Sequence, residues 1–296
     1  MTSPTFGTVK QIEAGVLNVG YVETGPPKGP VVLLLHGWPY DVHTYAEIAP
    51  RLGSAGYRVI VPYLRGYGPT LFRSIDTIRN GQQSALGLDA IALMDALDIR
   101  HAIIGGFDWG ARAANVMAAL WPDRCKAMVS VSGYLIGNRA AAGIPLVPEA
   151  EYQWWYQYYF ATERGRAGYD KYRREFARLI WRLASPRWHF DDATFEVSAA
   201  AFDNPDHVAI VILSFAKIVL SRRMLPSRAL SSDPSRTRRC PAPGRRTPSP
   251  LLPPRSVVAS DELSIRRRGG QSALGARAMV AASTADRKFV PGQPIG

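Results

Sequence analysis

The sequence predicts an α/β protein with a mostly parallel sheet and helices on both faces. Three observations point there. Short, continuous apolar runs bounded by turn residues suit strands buried on both faces. Helical patterns alternate with them, and 296 residues are enough for one large α/β domain or two small ones. In order, Leu17 to Glu23 alternates like a strand, and Pro30-Val-Val-Leu-Leu-Leu-His36 is a buried run. A helix is expected from Thr44 to Leu52, then the strand Arg58 to Pro62. From Gln82 to Leu97, Leu86, Ala90, Leu93 and Leu97 share one helical face. Ala102 to Gly105 reads as strand, Trp109 to Leu120 as helix and Ala127 to Ser132 as strand. This order favours parallel pairing, with any site beyond the carboxyl ends of the strands.

After Tyr134 the period changes. Glu151 to Phe160, EYQWWYQYYF, holds seven aromatics in ten residues, more than one buried helix face accommodates, so some should line a cavity or interface. Lys171 to Leu183 is helical, with Tyr172, Phe176, Leu179, Ile180 and Leu183 on one stripe. The segment reads as helical cover over the sheet, with ordinary core packing as the plainer alternative. Three regions result: a core at 1–133, a helical lid at 134–212 and a tail at 213–296.

Charge separates the tail from the rest. Residues 1–212 carry 20 basic and 20 acidic side chains, whereas 213–296 hold 16 basic and 4 acidic ones, the whole of the net +12. The tail also has 10 of the 23 prolines and only Phe215 and Phe289 as aromatics. Such a composition does not offset the entropy of ordering, so disorder is expected. It contains no Tyr, Trp, His or Asn, as expected of a GC-rich gene read out of frame beyond about 212. Two cysteines, Cys125 and Cys240, make a reducing compartment the default, and the amino terminus lacks a secretory layout. The longest apolar stretch, Val208 to Leu220, falls short of the roughly 20 residues that span a bilayer. A cytoplasmic protein without a membrane role is expected, and no cofactor or metal motif is evident.

Gly105-Gly106-Phe107-Asp108-Trp109-Gly110 closes a strand and opens a helix. The small residues at 106 and 110 let strand and helix approach, which forces Asp108 outward with the helix amino terminus behind it. A serine there would attack acyl carbons. A carboxylate suits displacement at an sp³ carbon through an alkyl-enzyme ester, the leaving group being a halide or an epoxide oxygen. Alone, G-x-D-x-G is a weak pattern that reads more readily as an ordinary helix N-cap. Upstream, His36-Gly37-Trp38-Pro39 follows one strand and Arg65-Gly66-Tyr67-Gly68-Pro69-Thr70 the next.

Together, HGWP, RGYGPT and GGFDWG resemble the α/β-hydrolase superfamily, in the epoxide hydrolase and haloalkane dehalogenase branch, over about residues 15–212. The resemblance implies an α/β-hydrolase fold with a helical lid, its last strands missing from this chain. It implies Asp108 as nucleophile, His36, Gly37, Trp38, Pro39 and Trp109 around the oxyanion and substrate pocket, and the N–H groups of Trp38 and Trp109 as oxyanion donors. Tyr156-Gln157-Tyr158-Tyr159-Phe160 is similar to the lid motif whose first tyrosine donates to an epoxide oxygen, making Tyr156 that donor and Tyr152 a lesser substitute. A second tyrosine belongs near the end of the lid, where Phe215 stands without a hydroxyl. Trp109 would serve a halide equally well. Arg112 matches one position at which haloacid-type relatives hold a carboxylate, with a surface arginine as the plainer reading.

The family's histidine base and its orienting acid come late in the chain, whereas no histidine here follows His207. His36 reads as shaping its loop, His43 as solvent-facing, His101 as lying at the wrong end of the sheet, and His189 and His207 as surface or capping residues. Val131-Ser132-Gly133 offers no acid, and Asp233, Asp261, Glu262 and Asp286 have no strand before them. The expectation is a hydrolase impaired in turnover, acting on a small epoxide or alkyl halide. The alternatives are a dehalogenase-like hydrolase and a non-catalytic protein binding through its basic tail or acting as a scaffold. Without aromatic stacking partners the tail suggests nonspecific nucleic-acid attraction rather than a dedicated module.

Overall fold

A computed structural model describes residues 7–133, 144–223 and 256–258. Its strands are β1 (Val9–Ala14), β2 (Leu17–Thr24), β3 (Val31–Leu35), β4 (Arg58–Pro62), β5 (Leu71–Phe72), β6 (Ala102–Phe107), β7 (Cys125–Val131) and β8 (Ser256–Val258). They form one sheet in the order β1-β2-β4-β3-β6-β7-β8, with β5 on β2. The β1, β2 and β5 pairings are antiparallel; β4, β3, β6, β7 and β8 run parallel. Helices α1 (Ile48–Ser54), α2 (Gln83–Ala96) and α3 (Trp109–Leu120) connect the core strands. The cover consists of α4 (Pro148–Gln153), α5 (Trp155–Phe160), α6 (Glu163–Ala184), α7 (Asp192–Ala199) and α8 (His207–Arg223).

The sheet centre is β3, β4 and β6, where Leu33, Leu34, Val59, Ile60 and Ile104 are fully buried. The continuous apolar runs therefore lie where both faces are covered, as their composition requires. The expected Thr44–Leu52 helix is instead a 3₁₀ turn at Val42–Tyr45 followed by α1. Buried Asp41 caps the turn by accepting from the His43 N–H, so the chain bends before α1 begins. α8 runs on through the boundary placed at 212, since the apolar stretch from Val208 continues the helix. The tail's expected disorder, its frame and its four acids fall outside the described residues. Within it, Ser256–Val258 is a strand where none was expected, pairing with β7 from Met128 to Ser130. Among the described residues no helix is long and apolar enough to cross a membrane.

Candidate active site

Asp108 sits at the turn from β6 into α3 with φ 51° and ψ −117°, a left-handed conformation that side-chain-bearing residues seldom adopt. Holding it costs about 1–3 kcal/mol, which the surrounding packing must supply. A Cβ on Gly110 would lie 2.0 Å from the Leu35 carbonyl, and one on Gly106 2.5 Å from Gly110. Only glycine at these two positions lets α3 start hard against β3 and β6. Gly37 meets a similar limit, since a Cβ there would come 2.6 Å from Asp108 Cβ.

That close approach brings the main chain of the His36–Pro39 loop to the carboxylate. The Trp38 N–H donates to Asp108 Oδ1 at 2.9 Å, and the Trp109 N–H at the start of α3 also favours the charged carboxylate. Desolvation raises the Asp108 pKa above the usual carboxylate range, while these N–H groups and the Arg112 charge pull it back in part. The residue as a whole is only partly buried.

The two histidines of the buried floor are fully paired. His36 Nδ1 lies 3.0 Å from the Gly37 carbonyl, and the Leu64 N–H donates to its Nε2 at 3.1 Å. Burial lowers its pKa to about 4, so it is a neutral strut of the loop. His207, read from sequence as a surface or capping residue, is completely buried. Its Nε2 lies 2.9 Å from the Tyr169 hydroxyl and its Nδ1 2.9 Å from the Gly66 carbonyl, and burial lowers its pKa to about 3. Two partners at the ring nitrogens are what make that burial tolerable. His43 is half-buried rather than solvent-facing, with Nδ1 2.7 Å from Asp41 Oδ2. His189 is exposed, and His101 precedes β6 at the amino end of the sheet.

Aromatic rings cover the carboxylate. Tyr156 is 9% exposed, with its ring 5.1 Å from Trp38 and 5.5 Å from Phe215. Burial first, and the Asp108 charge second, push its phenol pKa up, so its proton is retained. Phe215 is 3% exposed and meets Trp38 at 5.0 Å and Trp109 at 5.4 Å. Tyr152, by contrast, is exposed, as are Trp154 and Tyr158. Arg112, expected at the surface, is half-buried with its guanidinium 5.1 Å from the Trp109 ring. The packing of these rings leaves one small apolar hollow beside the site, bounded by Trp38, Trp109, Ile210 and Phe215, with room for about one water. Among the described residues no group of three or more His, Cys, Asp or Glu could hold a metal ion.

Sequence reasoning missed Tyr169 and Trp181, both on α6. The Trp38 indole N–H donates to the Tyr169 hydroxyl at 2.9 Å, and the Trp181 indole N–H to the Pro39 carbonyl at 2.8 Å. Twelve residues apart, they would lie about a third of a turn from each other on a straight helix, and the helix is kinked at Tyr172, so their spacing in the sequence gives no signal of a shared role. Pro39 follows a cis peptide bond, and Tyr40 stacks on Trp181 at 4.9 Å.

Residues 30–179 match the family model described as alpha/beta hydrolase fold. A crystal structure from Klebsiella pneumoniae, provisionally described as an epoxide hydrolase, is 56% identical with a TM-score of 0.71, over 75% of this chain and 73% of that one. Epoxide hydrolase B of Mycobacterium tuberculosis is 33% identical over 159 residues, 49% of this chain and 44% of that protein. A haloalkane dehalogenase of Psychrobacter cryohalolentis is 30% identical over 149 residues, 50% of this chain and 45% of that protein. The chain thus spans less than half the length of these two curated relatives. With the strand order, the elbow and these matches together, the chain belongs to the α/β-hydrolase fold family, in its epoxide hydrolase branch.

Proposed function

We propose that the chain is an epoxide hydrolase-like protein in which Asp108 opens a small epoxide to an alkyl-enzyme ester, and that hydrolysis of this ester is impaired. One observation carries the reading: a desolvated carboxylate on a residue held at positive φ, with one oxygen bonded to the Trp38 N–H. The bonded oxygen is oriented as the future ester carbonyl, which leaves the other to attack. An Asp108 oxygen bonds to the less hindered ring carbon, the carbon–oxygen bond of the epoxide breaks, and the oxygen released takes a proton from the Tyr156 phenol. The product is a hydroxyalkyl ester on Asp108. Attack by water on that ester would put negative charge on the oxygen facing the Trp38 and Trp109 N–H groups. The water needs a base, and the buried histidines, His36 and His207, are neutral and occupied at both nitrogens.

The curated and structural relatives support the class, epoxide hydrolase among them by name. Under this reading the core is 1–133 and the lid begins at 134 and includes the whole of α8, past the boundary placed at 212, with the tail after it and the protein working in the cytoplasm. Phe215 against Trp109 favours a second reading, displacement of a halide, because a ring without a hydroxyl stands where a second donor to an epoxide oxygen would be expected. The two differ in intact-protein mass. Styrene oxide would add its whole mass to Asp108, whereas 1-bromobutane would add a butyl group in place of a proton and release bromide. Asp108→Asn is expected to abolish the adduct. Absence of any adduct on Asp108 in the unsubstituted chain would sink the nucleophile assignment, and steady diol formation would sink the impairment.

A further inference from the structure

Three side chains and a carbonyl join the two loops at the carboxyl edge of the sheet by way of the lid. Trp38 Nε1–H donates to the Tyr169 hydroxyl at 2.9 Å, that oxygen lies 2.9 Å from His207 Nε2, and His207 Nδ1 lies 2.9 Å from the Gly66 carbonyl. An indole nitrogen only donates and a carbonyl only accepts, so one arrangement of protons satisfies all three contacts. His207 carries its proton on Nδ1, toward Gly66. Its bare Nε2 accepts from the Tyr169 hydroxyl, and that hydroxyl accepts from Trp38. Trp38 is 5% exposed, and Tyr169 and His207 are at 0%, so water cannot replace a lost partner without rearrangement.

The chain of bonds ends at the residue that holds Asp108. Trp38 is pinned at its indole by Tyr169 and at its backbone N–H by Asp108 Oδ1, and its ring packs on Tyr156. We propose that Tyr169 and His207 are positioning residues, which hold Trp38 and through it keep the Asp108 carboxylate and the Tyr156 phenol in reactive register. The role assigned to Asp108 rests on its reading as nucleophile. Arg112 on α3, Tyr40 after β3, Tyr67 after β4 and Tyr156 on α5 are the charged and titratable groups that sense or perturb Asp108. None of them is altered in the test.

The test follows Asp108 directly, by carbon-13 carboxyl titration of the full chain, alongside the pH dependence of adduct formation with styrene oxide. In Tyr169→Phe the ring remains and the hydroxyl goes. Weakening the Trp38 bond should raise the Asp108 titration midpoint by about half to one pH unit, and the acid limb of adduct formation should move with it. His207→Gln offers an acceptor to Tyr169 in place of Nε2 and should keep the midpoint of the unsubstituted chain. His207→Asn keeps only the donor toward Gly66 and should behave like Tyr169→Phe. A lower melting temperature with an unmoved Asp108 titration in Tyr169→Phe would overturn the proposal. So would equal behaviour of the Gln and Asn variants, which decide the matter should Tyr169→Phe not fold. If the unsubstituted chain forms no adduct, the nucleophile reading fails, and the carboxyl titration still settles the positioning.

Discussion

Asp108 and Tyr156 are electrostatic neighbours held in place by unlike means. Asp108 is set by main chain: a left-handed residue, glycines at 37, 106 and 110, and backbone N–H donors. Tyr156 is set by rings, with Trp38, Phe160 and Phe215 within 6.1 Å of it. A backbone-built floor tolerates almost no change in size, whereas a ring-built roof can be repacked at modest cost. Floor substitutions should therefore damage fold and chemistry together, and roof substitutions should separate them.

The largest separation is expected from Tyr156→Phe. Removing the phenol proton should slow adduct formation with an epoxide about 10²-fold or more, in line with general acid catalysis, and leave an alkyl halide almost unaffected. Equal slowing of both would mean that the roof acts by packing alone. Gly37→Ala should fail on both counts. A methyl 2.6 Å from Asp108 Cβ should cost about 1–3 kcal/mol in urea unfolding and displace the Trp38 N–H from the carboxylate. A variant as stable as its parent would show the floor to be looser than its contacts imply.

Acid should act on the floor in a defined window. His36 and His207 have folded pKa values lowered to about 4 and about 3, against an ordinary value near 6.5. Below about pH 6.5 the unfolded chain takes up protons that the folded chain does not. Stability should thus be fully present above that pH and fall by on the order of a few kcal/mol as pH drops toward 4. His207→Gln should flatten part of this slope in urea midpoints measured from pH 7.5 to 4.5. The smallest effect is expected from Phe215→Tyr. A second hydroxyl facing Trp38 and Trp109 should speed epoxide opening only a few-fold, since one hydrogen bond contributes about 0.5–1.5 kcal/mol. No gain for epoxides would favour the halide reading.

Legibility in the sequence followed the same division. α3 begins and ends where its pattern does, and β3, β4 and β6 match their apolar runs, because each is specified by contiguous residues. β1 escaped notice because its first three residues are exposed and carry no alternation. His207 was misread for a different reason. Its partners Tyr169 and Gly66 are 38 and 141 residues away, and no local pattern announces a contact at that range. The glycines flanking Asp108 pointed to the elbow, but nothing near Trp38 pointed to an α6 tyrosine as its anchor.

The far half of the lid is riveted to the floor. Ser198 donates to Asp41, the Trp181 indole to Pro39, and the Asn204 amide to the carbonyls of Gly68 and Thr70. Lifting α6 and α7 as a unit would sever these bonds and strand buried polar atoms, at roughly 1–3 kcal/mol apiece. A molecule entering from solvent therefore has its least resistant path at the opposite end. There α5 meets α6 and α8 through tilted and edge-to-face rings, contacts without directional hydrogen bonds, and Tyr152, Trp154 and Tyr158 already stand in water. The doorway there is made of arene faces.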